Sequence, residues 1–506
     1  MSMSRGGGGR AVERRLLRLL HGRETRIRLR EIHAQFLRHN LHHSNQLLSH
    51  FTSVCSSLSQ MPYAVRVFHQ SPNPNIFLFN SVIKGFSICG PFHGSIATFS
   101  AMKRRCIWPD QFTLAPLLKA CANLFDLHLG LQVYKDVMAL GFERFGAIRV
   151  GLVELFVNCD RMGDAEKVFD AMPQRDVIIW NLMIRGYCRT GSVETGLNLF
   201  RRMGEFRNVA SWNTMISCLA QSNRDSDALK LFTEMQQNQS FELDEVTVIT
   251  VLPICTRLGE VEVGKSLHSY VKSTGLLHEF VSVGNALVDF YCKCGELSKA
   301  LEVFDEMPCK NVVSWNTMIS GLALNGEGEL GVHFFEKMMK TNGGCGVPPN
   351  DSTLVGVLAC CVHAGLVERG RGFFASMSVD YNVEPKAEHY GCMVYLLGRN
   401  GCVKEAYELI LKMPKVKDET IANVNVNADV VRVWGALLSA CQTSGELEVA
   451  ESVVKELIDL EPGNSKNYVF LSNIYAEKGD WKGVEEVRMM MKGNCVYKNV
   501  GQSVVG

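Results

Sequence analysis

No two cysteines in this chain stand in C-x-x-C spacing, although it has 18 of them among 506 residues. The nearest pairs, Cys292-x-Cys294 and Cys360-Cys361, lack further ligands at zinc-site spacing, which excludes a zinc ribbon and a dithiol redox motif. Cys121, Cys255, Cys361 and Cys441 instead recur in "KACANL", "PICTRL", "ACCVHA" and "SACQTS". That recurrence predicts small apolar thiols, reduced and packed between helices. Long apolar runs are missing too: no eighteen consecutive uncharged apolar residues occur, so no membrane span and no membrane partner is expected. An excess of charge of either sign is also absent, with 53 basic and 52 acidic residues. Any nucleic-acid affinity then cannot rest mainly on a diffuse positive surface, and base contacts must contribute. Prolines number only 14 and fall mostly between repeated blocks, and strand-like alternation does not persist anywhere.

What is present is repetition. "SWNTMIS" occurs at 211–217 and again at 314–320, with relatives "IWNLMIR" at 179–185 and "LFNSVIK" at 78–84. A period near 31 to 36 residues is the mark of a solenoid, in which each unit buries its apolar faces against its neighbours. In 209–244, Trp212, Met215, Ile216 and Leu219 fall at i, i+3, i+4, i+7, one face of a helix. "QSNRDS" supplies turn chemistry, and Ala228, Leu231, Phe232 and Met235 form a second stripe. The template fits blocks 45–75, 76–110, 111–145, 146–176, 177–208, 209–244, 245–280, 281–311, 312–350 and 351–386, with "TNGGCG" at 341–346 as an insertion. The expected fold is an all-α solenoid of helical hairpins.

The N-terminus differs from the rest. Residues 1–30 carry nine arginines against only Glu13 and Glu24, and Leu16, Leu17 and Leu20 share a helix face. This composition predicts an organelle transit peptide over 1–28; the competing expectation is a basic helix that stays in place and caps the array.

"VVSWNTMISGLALNG", "VGNALVDFYCKCGELSKALEVFDEMPCKN" and "AEHYGCMVYLLGRNGCVKEAYELILKMP" resemble pentatricopeptide (PPR) repeats of the plant PLS class, in which P, L and S motifs alternate. The resemblance implies a right-handed α-solenoid superhelix, with the repeat array over 29–429. The run from "VWGALLSACQTSGELEVAESVVKELIDLEPGNSKNYVFLSNIYAEKGDW" onward resembles paired E motifs, placed at 430–500 before a tail at 501–506. Two departures stand out: an extra "KVKDETIANVNVNAD" before Val430, and "GQSVVG" where the family has a glycine-cysteine-serine-tryptophan end. The longest relatives continue into a zinc deaminase, but no histidine here has a glutamate two residues on, so no catalysis and no cofactor is expected of this chain.

The resemblance further implies binding of single-stranded organellar RNA, one base per repeat, by the residue after the Trp or Phe and the last residue of the same repeat. Ser49 with Asn75 resembles an adenine-reading pair; Asn80 with Asp110 and Asn213 with Asp244 resemble uracil-reading pairs. Asn181 with Asn208, Asn285 with Asn311, and Asn316 with Asn350 resemble pyrimidine-reading pairs. Ala115, Val150, Ile249 and Val355 are expected to be silent. Read parallel to the RNA, with Gly391 at the reading position of the last short block, the pairs spell 5′-A-U-n-n-Y-U-n-Y-Y-n-n-n-n-n-C-3′. The bare chemistry of the terminal Asp and Asn residues also suits helix capping, which accounts for that position alone. It does not account for asparagines inside an apolar opening run.

The implied function is a site-recognition factor for C-to-U RNA editing in a mitochondrion, or alternatively a plastid. A DYW-type deaminase and other editing proteins would be recruited through the E motifs. RNA binding in stability, splicing or translation without editing is the competing class, and a pure protein scaffold is a third.

Overall fold

The computed structural model describes residues 6–21, 26–237, 241–340, 347–413 and 424–494. Among them there are α-helices and one short 3-10 turn, Gly204–Phe206, and no strand. Every block from 45 onward opens a helix at its first residue: Asn45–Ser57, Ile76–Cys89, Gln111–Asn123, Gly146–Asn158, Val177–Arg189 and Val209–Gln221, then Glu245–Leu258, Val281–Lys293, Val312–Leu324 and Asp351–Ala364. Eight of these ten starts are set by side chains. Ser44, Asn75, Asp110, Asp176, Asn208, Asp244, Asn311 and Asn350 each accept the backbone N–H three residues on, satisfying a donor that the helix leaves open.

The chain forms two compact units, Met1–Leu243 and Asp244–Gly506. Within each, the first helix of a hairpin packs on the first helix of the next, and the second helix closes over the joint behind it. Aromatic rings explain why "SWNTMIS" is repeated. Trp180 meets Phe169 edge-on at 4.9 Å between ring centres, Trp212 meets Phe200 at 5.0 Å, and Trp315 meets Phe304 at 5.1 Å. Phe79 meets Phe68 in the same way at 5.1 Å. Each Phe lies on the second helix of one block and each partner on the first helix of the next, so the motif is a joint between repeats. Edge-to-face pairs contribute about 0.5–1.5 kcal/mol beyond the area they bury.

The same close packing fixes glycines and thiols. A Cβ on Gly328 would stand 2.2 Å from the Cys360 carbonyl oxygen, so the hairpin of 312–350 meets the next helix backbone to backbone. Cys121, Cys255, Cys361 and Cys441 are buried, and burial pushes the first two thiols up to about 12 and the last two to about 11. Thiols so disfavoured as thiolates are inert filling.

Residues 6–21 form a helix that packs on Asn45–Ser57, burying Leu16 and Leu20. The Ser44 hydroxyl donates to the Glu13 carboxylate. At the other end the helix Val424–Ser444 begins upstream of the Val430 boundary expected from sequence. Leu447–Leu460, Ser465–Glu477 and Trp481–Gly493 complete the C-terminal hairpins. Lys455, Lys478 and the Tyr475 hydroxyl all donate to Glu451, at 2.7, 2.8 and 2.9 Å, and hold its carboxyl down at about 2. The 341–346 insertion and most of the 415–429 stretch lie outside the described residues.

Candidate nucleic-acid interface

The twelve candidate base-reading residues fall into two rows. Ser49, Asn80, Asn181, Asn213, Asn285 and Asn316 are each the fifth residue of a first helix. Asn75, Asp110, Asn208, Asp244, Asn311 and Asn350 are each the N-cap of the helix that follows. Capping therefore operates at every member of the second row, and it sets how the row is presented. One side-chain oxygen is turned into the helix, and the other oxygen or the amide nitrogen is left at the N-terminal rim.

In two blocks the rows are joined. The Asn80 amide donates from Nδ2 to Asp110 Oδ1 at 2.9 Å, and the Thr113 hydroxyl donates to Asn80 Oδ1 at 2.5 Å. The Asn316 amide likewise donates to Asn350 Oδ1 at 3.0 Å, and the Thr353 hydroxyl to Asn316 Oδ1 at 2.6 Å. Residues 30 to 34 positions apart in sequence thus form one polar cluster. In three other blocks they do not. The side-chain oxygens of Ser49, Asn181 and Asn285 are shielded from solvent and have no hydrogen-bond partner. Asn213 is buried at 5% exposure in the first unit, and Asp244 caps Thr247 in the second at 2.8 Å.

Sequence periodicity did not single out the second residue of the first helices. In five of the ten, Phe77, Phe112, Ile178, Val246 and Val313 occupy it and are exposed, Phe77 by 68%. The signal was available: these apolar residues fall off the stripe that faces the core. Phe77, Phe112 and Phe145 border a cleft of about 560 Å³ that Ser49, Asn80 and the silent Ala115 also line. Apolar faces beside a fixed amide suit a flat heterocycle, stacked on one side and hydrogen-bonded at its edge.

The turns that present the second row are braced in two ways. In blocks 146–176, 177–208 and 281–311 a cation precedes the cap and folds over the joint: Arg175 lies 4.6 Å from the Phe169 ring, Arg207 5.1 Å from Phe200, and Lys310 5.1 Å from Phe304. Lys310 also donates to the Met307 carbonyl at 2.7 Å, and burial lowers its pKa. In blocks 45–75, 76–110 and 312–350 prolines stand there instead, Pro74 before Asn75, Pro109 before Asp110 and Pro348-Pro349 before Asn350.

Comparison with known proteins adds the following. The PPR repeat model matches residues 77–107, 178–207, 210–240, 285–312, 313–342 and 388–417, and the E motif model matches 444–506. A pentatricopeptide repeat-containing protein of Arabidopsis thaliana is 51% identical over 494 residues, covering 98% of this chain and 99% of that protein. A second from the same plant is 37% identical over 490 residues, covering 96% and 89%. Among solved structures, the pentatricopeptide repeat protein PPR10 in complex with an 18-nt psaJ RNA element aligns over 90% of this chain and 75% of that one, at 17% identity and a TM-score of 0.42.

Proposed function

The chain belongs to the pentatricopeptide repeat family and carries an E motif, and from that premise we propose that it binds one organellar RNA strand as the site-recognition factor for C-to-U editing. The observation that carries this is the joining of the two rows, Asn80 to Asp110 and Asn316 to Asn350, by hydrogen bonds at a rim flanked by exposed apolar side chains. Each joined amide keeps one N–H and one oxygen lone pair unspent, which is what a base edge needs. Exposed Phe77, Phe112 and Val313 cover the faces of the base, and this contribution is indifferent to sequence. Specificity then comes from the amides and capping residues, consistent with a chain that is nearly neutral overall.

The deaminase is supplied by a second protein of the DYW type. Trp481, Met489 and Met490 on the last helix of the C-terminal hairpins are exposed and offer an apolar surface on which such a protein can dock. The arginine-rich N-terminal segment supports delivery to the mitochondrion. The test is sequencing of organelle cDNA against genomic DNA in a line lacking the protein. Loss of conversion at one or a few cytidines preceded by the spelled sequence is expected. Unchanged editing with altered transcript abundance or splicing would favour RNA binding without editing.

A further inference from the structure

We propose that Thr113 and Thr353, which lie outside the reading pairs, fix the orientation of the Asn80 and Asn316 amides and so set how sharply those two repeats choose between uracil and cytosine. The proposal rests on the RNA-reading function above. A threonine hydroxyl has one proton and two lone pairs. At Thr353 one lone pair takes the Asn350 backbone N–H at 3.0 Å, and at Thr113 one takes the Asp110 backbone N–H at 3.2 Å. The proton has two acceptors within reach. The reading amides, at 2.5 Å for Asn80 and 2.6 Å for Asn316, are nearer than the capping Oδ1 atoms, at 2.9 Å in both blocks.

With the proton so placed, the amide has one orientation. Its oxygen faces the threonine hydroxyl, and its nitrogen faces a capping oxygen already committed to a helix N–H. A half-turn of the amide would set two oxygens against each other with no proton between them, and would leave the hydroxyl only the more distant capping Oδ1 as acceptor. The outward N–H and the outward lone pair therefore keep fixed places. Cytosine and uracil differ by exchange of donor and acceptor along one edge, so an amide that cannot turn can match only one of them well.

Two blocks of the same molecule supply the contrast. Ser211 and Ser314 occupy the same helical position as the threonines, and their hydroxyls stay within their own capping boxes, 3.1 Å from Asn208 and Asn311. The Asn181 and Asn285 oxygens ahead of them have no partner, so neither orientation is enforced. Those repeats accept either pyrimidine.

The test uses the full chain and a set of RNAs carrying the spelled sequence, varied one nucleotide at a time. Uracil against cytosine is expected to change affinity about tenfold opposite Asn316, and less than about threefold opposite Asn285. Thr353→Val should reduce the first ratio to the second while leaving discrimination opposite Asn80 intact. Ser314→Ala removes a capping box but no bridge, and should leave the ratio opposite Asn285 where it was. If Thr353→Val does not fold, Thr113→Val read opposite Asn80 serves in its place. Undiminished discrimination in the valine variant overturns this proposal alone. Absence of any RNA affinity in the wild type overturns the RNA-reading function with it.

Discussion

The long blocks 76–110 and 312–350 and the short blocks 177–208 and 281–311 all carry asparagine as the fifth residue of their opening helix, yet they finish in different chemistry. The short ones end in a cation folded over a Phe–Trp joint, and their reading asparagines keep an unpartnered oxygen. The long ones reach their last residue through proline, and their reading asparagines are held by two hydrogen bonds. The contrast recurs once in each unit of the molecule, so it does not belong to one location. It teaches that the joint between repeats and the reading site are built from the same turn. What braces the turn decides how much freedom is left to the amide.

The most damaging way to break this contrast is at the aromatic joint. Phe304→Ala removes a buried ring that meets Trp315 edge-on and carries Lys310 above it. A loss of about 3–5 kcal/mol is expected for such a truncation, measured by urea unfolding. Next in size is the Thr353→Val exchange, which turns a long block into a short one in its reading while sparing the joint. Smaller again is Lys310→Met, which keeps the hydrophobic stem and deletes the charge over Phe304 together with its hydrogen bond to the Met307 carbonyl. It should lower stability by about 0.5–1 kcal/mol, and the effect should persist at high salt because the cation is partly buried.

The smallest effect concerns pH. His268 donates or accepts at Nδ1 with the Tyr291 hydroxyl at 2.8 Å, and burial lowers its pKa from 6.5. His33 pairs with Tyr63 at 2.7 Å and is lowered for the same reason. A histidine depressed in the folded state takes its proton more readily in the unfolded chain. Its contribution is thus complete above pH 6.5 and is lost as pH falls from there toward the folded value. The melting temperature should decline on acidification below that point, and His268→Gln should flatten part of the decline without touching either kind of turn.

Much of this was legible in the sequence because the determinants are local. A capping residue such as Asp110 or Asn208, followed by an apolar stripe with helical spacing, marks a helix start to the residue, and every block boundary from 45 to 351 coincides with one. The recurrent buried cysteines were legible for the same reason. The amide bridges were not, because Thr113 and Asn80 lie 33 residues apart and only the stacking of two first helices brings them together. Nor did the pattern separate Asn181 from Asn80, since both follow an aromatic residue in nearly the same string. The helix Gly6–His21 was read for its arginines, whereas the burial of Leu16 depends on a surface of Asn45–Ser57 that no local window contains.

The capping residue has a consequence for how such a chain can be recombined. Asp110 ends one block, and its hydrogen bonds run back to Asn80 and forward to Thr113 of the next. A cut placed at the block boundary would part the cap from the hydroxyl and backbone that hold it. A cut after the third residue of the following helix would carry all three together. Exchange of specificity between such proteins should therefore succeed when crossovers fall inside helices, one turn beyond the sequence repeat, and should blur it when they fall in the turns.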